Sequence, residues 1–131
     1  MFLAANEDRR CQIGEIAEFF VISRDHLAKA ARRLGQAGFI RTIRGIGGGL
    51  ELARPASDIR LGDVIQQIEG RLALLDCTQT AGVCHIQPGC KLKGVLARAE
   101  QLQREYLNSV FLSEVVTAGE DLVQLTTLAS G

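Results

Sequence analysis

The sequence predicts a mainly α chain with a small β-hairpin wing: a winged helix-turn-helix domain followed by a long C-terminal dimerisation helix. Three observations predict it. Two short segments with helical apolar spacing are separated only by Val21-Ile22. Two strand-like runs follow directly, joined by a glycine-rich turn. Beyond residue 91 apolar residues recur every three or four positions along a single long stretch.

The length of 131 residues supports one domain plus an extension, and 47% apolar content supplies a core. Net charge is zero, but residues 1–60 carry 10 Lys/Arg against 7 Asp/Glu and residues 61–131 carry 5 against 8. Between Arg24 and Arg60 there are 8 basic and 3 acidic residues. A basic patch on a neutral chain fits a polyanion surface, and equally a solvated helix face. No 18-residue apolar run is present, so no transmembrane helix is expected. Met1-Phe-Leu-Ala-Ala5 is too short for a signal peptide and has no basic flank. The expected compartment is the cytoplasm, where stable disulfides are disfavoured.

Met1–Ala5 reads as the last turn of a helix whose beginning is truncated, because four apolar residues open the chain and Asn6–Arg10 breaks the pattern. Ile13, Ile16, Ala17 and Phe20 stand at i, i+3, i+4 and i+7 and predict a helix from Ile13 to Phe20. Ser23 is a preferred N-cap, and Asp25 in the first turn suits the helix dipole. Leu27, Ala30, Ala31 and Leu34 form the inward stripe of this second helix, and Gly38 is its stop. Arg24, His26, Lys29, Arg32 and Arg33 lie off that stripe. Phe39–Ile43 and Leu50–Ala53 have strand character, and Arg44–Gly49 between them has four glycines in its last five residues. The turn has no P-loop lysine and no following helix, which argues against nucleotide binding. Leu61, Val64, Ile65 and Ile68 give a short helix ending at Gly70.

Cys77, Cys84 and Cys90 then fall within 14 residues, spaced C-x6-C-x5-C and interrupted by Gly82, Pro88 and Gly89. Thiols gathered on an irregular cytosolic loop hold a metal or an iron–sulfur cluster, or do redox work. Three are one short of the four ligands that tetrahedral zinc or a cubane cluster takes. His85 would complete a zinc site, but adjacent residues seldom both reach one ion. A reversible disulfide between two of the cysteines is a further alternative. Cys11 stands alone and reads as a small buried apolar residue. The last segment predicts a helix of about 25 residues ending near Val116, with Leu92, Leu96, Ala99, Leu102, Tyr106 and Val110 as its stripe. A stripe that narrow on so long a helix fits packing between two chains. The expected division is 1–70 for the winged helix-turn-helix, 71–91 for the cysteine loop, 92–116 for the dimerisation helix and 117–131 for a flexible tail.

The pieces, in this order, resemble the iron–sulfur winged-helix transcriptional regulators that include NsrR and IscR. The segments that carry the resemblance are Ile22-Ser-Arg-Asp-His-Leu-Ala-Lys29, Leu34-Gly-Gln-Ala-Gly-Phe-Ile40, Arg44-Gly-Ile-Gly-Gly-Gly-Leu-Glu-Leu-Ala-Arg-Pro55, Ile59-Arg-Leu-Gly-Asp-Val64 and Cys84-His-Ile-Gln-Pro-Gly-Cys-Lys-Leu-Lys93. Within the family the likeness is greatest to the NsrR type, the nitric-oxide-sensing repressors. IscR-type proteins place a histidine ligand three residues past the third cysteine, where this chain has Lys93, a cation at neutral pH. The resemblance therefore implies that Cys77, Cys84 and Cys90 hold an iron–sulfur cluster, 4Fe–4S before 2Fe–2S. In NsrR-like proteins the fourth ligand can be an acidic residue near the start of the partner's first helix, a point this chain begins after.

The implied function is a homodimeric repressor on a near-palindromic site in double-stranded DNA, with nitric oxide as its signal. The implied contacts are Ser23, Arg24, Asp25 and His26 at base edges and Lys29 and Arg33 at phosphates, with Arg41, Arg44 and Gly48 from the hairpin at the minor groove or backbone. An IscR-like sensor of iron–sulfur status or redox state, and a structural zinc protein that binds DNA, are the alternatives. Catalysis is not expected: the two histidines lie 59 residues apart and no nucleophile–base–acid set is recognisable.

Overall fold

The computed structural model describes residues 1–74 and 85–116. Its order is α1 (Phe2–Ala5), α2 (Ile13–Phe20), α3 (Arg24–Gln36), β1 (Ile40–Ile43), β2 (Gly49–Leu52), α4 (Leu61–Glu69) and α5 (Lys91–Ser109). Single 3-10 turns lie at Ala56–Asp58, Gln87–Gly89 and Leu112–Glu114. The mainly helical architecture with one antiparallel hairpin is the one expected.

The capping chemistry sets the boundaries. The Ser23 hydroxyl accepts from the His26 N–H at 3.3 Å and starts α3. At its other end Gly38 adopts φ +82. The N–H of Phe39 then bonds to the carbonyl of Leu34 at 3.0 Å and that of Gly38 to Gly35 at 3.1 Å, a Schellman stop. The end of α2 is built the same way around a different residue. Val21 takes φ 54, ψ 46, while the Ile22 N–H reaches Ala17 at 2.9 Å and the Val21 N–H reaches Glu18 at 3.2 Å. A β-branched residue in this left-handed conformation is strained by about 1–2 kcal/mol. Its side chain is 91% exposed, so no packing offsets the strain. Val21→Gly is therefore expected to stabilise the chain by about 1 kcal/mol, seen as a midpoint a few degrees higher in thermal unfolding.

In the hairpin Ile40 faces Leu52, Arg41 faces Glu51, Thr42 faces Leu50 and Ile43 faces Gly49. A third backbone line joins it: Cys11 and Leu50 exchange N–H···O bonds of 2.9 and 2.8 Å. The core lies between this ribbon and the helices. Cys11, Ile16, Phe39, Ile40, Leu50, Ala56, Ile59 and Leu112 are buried there, with Leu27, Ala31, Leu34 and Val64 packed against them. Cys11 and Ile59 are the most enclosed.

Helix α5 departs from expectation at its end and on its stripe. It stops at Ser109, not near Val116. Val110 turns extended, and residues 110–112 pair with residues 59–61: the Leu61 N–H bonds to Val110 at 2.8 Å and the Leu112 N–H to Ile59 at 2.8 Å. Leu112 enters the core, so the apolar residues after Ser109 serve the winged domain and do not prolong the helix. Arg60 stacks over the Phe111 ring at 5.6 Å and donates to the Asn108 carbonyl at 3.1 Å, closing the join. Along its length α5 packs on α4. Gly62 faces Asn108, and any Cβ there would meet the Asn108 side-chain oxygen. Leu96 turns partly inward and Glu100 is buried, accepting the Leu74 N–H at 2.8 Å. The outward stripe is instead Leu92, Val95, Ala99, Leu102 and Tyr106, in strict 3-4-3-4 spacing, and its four large residues are exposed. Among the described residues no helix is long and apolar enough to cross a membrane.

Candidate nucleic-acid interface

Ser23, the first-turn residues Arg24, Asp25 and His26, and Lys29 in the next turn of α3 are all exposed. Ser23 is occupied as the cap. The Arg24 guanidinium folds back over α2 and packs where Gly14 leaves room: a Cβ on Gly14 would stand 2.9 Å from Nη2. Asp25 and His26 remain at the surface of the first turn, and Lys29 at that of the second.

The two arginines of the third turn point to different neighbours. Arg33 donates to the Gln67 carbonyl of α4 at 3.1 Å. Arg32 instead lines a cleft of about 700 Å³ between α3 and the hairpin, together with Ala28, Thr42, Arg44 and the turn glycines. Helical spacing alone placed both off the buried stripe. Which of them faced the ribbon depends on where the ribbon packs, and no local signal encodes that.

The hairpin turn is shaped by backbone. The Gly48 N–H bonds to the Gly45 carbonyl at 3.0 Å, and Gly47 at φ +73 fills the third position of the turn, as a type II turn requires. At Gly48 the limit is space: a Cβ there would collide with the Ile43 carbonyl oxygen and come within 2.8 Å of that of Gly45. Two side chains from the segment after α1 brace the tip. Arg10 Nη1 donates to the Gly47 carbonyl at 2.9 Å, and Gln12 Nε2 to that of Gly48 at 2.6 Å. Such braces leave no local signal in the sequence, since they span 37 and 36 residues.

Arg41 and Arg44 differ in charge balance. Arg41 pairs with Glu51 at 2.9 Å, and Arg10 pairs with the same carboxylate at 3.2 Å. Arg44 carries no ion pair among the described residues, so its charge stays open beside the cleft. The face thus combines the start of a helix, a braced glycine ribbon and a cleft whose cations are Arg32 and Arg44. It can admit a polyanion backbone while offering the first turn of α3 to a groove.

Of the cysteines expected to bind a cluster, Cys77 and Cys84 lie outside the described residues. Cys90 is half-buried with a free thiol at the N-cap of α5. The unpaired N–H groups of a helix start favour negative charge, which suits a sulfur-ligated anionic centre. Among the described residues no group of three or more His, Cys, Asp or Glu is arranged to hold a metal. Cys11 is instead paired by its backbone with Leu50. It lies within the core, where burial pushes its thiol above the ordinary value, as expected of an inert structural cysteine.

A family model described as Rrf2, iron-dependent transcriptional regulator, matches residues 1–118. The chain belongs to the Rrf2 family. The family is one of transcriptional regulators, not enzymes. Among solved structures, this Rrf2 protein is similar to Staphylococcus aureus CymR at 28% identity and TM-score 0.66, over 88% of this chain and 89% of that one. T. potens IscR matches at 26% identity and TM-score 0.64, over 84% of this chain and 72% of that one. CymR, the global cysteine regulator of B. subtilis, shares the fold at 22% identity and TM-score 0.69, over 88% and 87% of the two chains. The likeness is thus to the family at large, through CymR and IscR, and not to the NsrR type in particular.

Proposed function

We propose that this Rrf2 protein is a homodimeric, cytoplasmic repressor that binds a near-palindromic operator and responds to nitric oxide through an iron–sulfur cluster on Cys77, Cys84 and Cys90. The observation that supports DNA binding best is the open cleft between α3 and the hairpin, with Arg32 and Arg44 on its walls. In this reading the first turn of α3 meets base edges through Arg24, Asp25 and His26, and Lys29, one turn further on, meets a phosphate. Arg32 and Arg44 meet phosphates from the walls of the cleft, and Arg33 meets one beside them. Arg41 acts through Glu51 to keep the ribbon's register.

The exposed stripe of α5 supports the dimer. A twofold dimer that reads two half-sites one turn of B-DNA apart presents its α3 helices about 34 Å from each other. When bound, the cluster supplies iron that reacts with nitric oxide. Of its three ligands, Cys90 is the one within the described residues, at the N-cap of α5. Lys93 sits one turn into α5 and supports the NsrR type over the IscR type by its chemistry.

Two measurements test this reading. Duplexes selected from a random pool should bind with a steep salt dependence. Arg44→Ala should lower that slope by about one unit while selecting the same sequence. An unchanged slope overturns the role of the hairpin. Anaerobic reconstitution with iron and sulfide should give visible absorption that nitric oxide bleaches, and protein that stays colourless overturns the cluster.

A further inference from the structure

We propose that Ile46 is an apolar wedge that enters the minor groove and unstacks one base step beside each half-site. The inference rests on the DNA-binding reading above and adds to it a determinant of sequence preference. Ile46 is a fully exposed aliphatic residue at the very tip of the hairpin. It occupies the second position of the turn closed by Gly45 and Gly48. From residues 45 to 49 it supplies the only side chain, because all four of its companions are glycine. The ribbon is therefore bare backbone with one aliphatic projection.

The surroundings hold that projection still. Gly45 at φ +91 and Gly47 at φ +73 flank it, and Arg10 and Gln12 anchor the carbonyls just behind it. Arg44, whose charge is open, stands two residues away. A cation paired with an aliphatic tip on a narrow ribbon matches the chemistry of a minor groove, which is about 6 Å wide and electronegative. Apolar side chains between base pairs kink DNA toward the major groove. The cost of unstacking is least at pyrimidine–purine steps, so Ile46 would favour TA or CA/TG there without making a hydrogen bond.

The test uses the full chain and a pool of random duplexes. The parent protein should enrich a pyrimidine–purine step outside the sequence read by α3, and end-labelled duplexes should show bending by energy transfer. Ile46→Ala, which alters no contact within the fold, should keep the core sequence and the thermal midpoint. It should lose the flanking step and the bend, and bind the parent's duplex roughly tenfold more weakly. Ile46→Leu should restore both. If Ile46→Ala enriches the same flanking step and bends DNA as the parent does, the wedge is overturned while DNA binding stands. If the parent itself enriches no duplex, the DNA-binding reading falls and the wedge with it.

Discussion

Replacing both Leu102 and Tyr106 with aspartate should leave the winged domain folded and convert the protein to a monomer. The two side chains are 49% and 70% exposed and touch no core residue, so the single chain loses little by the change. In the dimer of α5 stripes each would lie against its own counterpart or a near neighbour. Burial of such a side chain contributes about 1.5–3 kcal/mol. The double substitution removes four of them across the twofold and places four carboxylates in an apolar seam. That exceeds what a seam one helix long supplies. A monomer meets one half-site only, and its affinity for the selected duplex should fall by at least roughly a hundredfold. Sedimentation velocity and fluorescence anisotropy read the two effects separately. A dimer that persists with both aspartates would exclude the α5 stripe as the interface.

Gly48→Ala is expected to be the most damaging single change in the hairpin. The added carbon meets two backbone carbonyls, those of Ile43 and Gly45, which have no rotamer to yield. The turn must open, and the brace from Gln12 to the Gly48 carbonyl goes with it. A cost of about 2–3 kcal/mol follows, or a midpoint lowered by roughly 10 °C in a domain of this size. The comparison with Ile46→Ala is the control, since that change at the same tip leaves stability alone. A Gly48→Ala protein with the parent's midpoint would show that the turn has slack. Gly48, expected at the DNA backbone, also shapes the ribbon that carries Arg44 and Ile46.

What the sequence made legible is what short-range chemistry controls. Apolar spacing placed α2 at Ile13–Phe20, and the Ser23 cap and the Gly38 stop bounded α3. Glycines marked the turn. The end of α5 misled because Val110 continues the helical spacing of Leu92, Leu102 and Tyr106. Pairing with Ile59–Leu61 outweighs that local preference, and nothing near Val110 announces it. The exchange of Val95 for Leu96 on the outer stripe has the same origin, since α4 selects which face turns inward. The bond from Arg33 to the Gln67 carbonyl joins residues 34 apart and has no local signal either. Cys77, Cys84 and residues 117–131 lie outside the described residues.

The join of residues 59–61 with residues 110–112 and the packing of α5 on α4 tie this helix to the winged domain as one rod. Its 19 residues span about 28 Å from that join to Cys90. A rod held along its length turns only with the domain, so a rotation of about 10° carries Cys90 through about 5 Å. A few ångströms of displacement at Cys90 thus correspond to a small rotation of the whole body that presents α3.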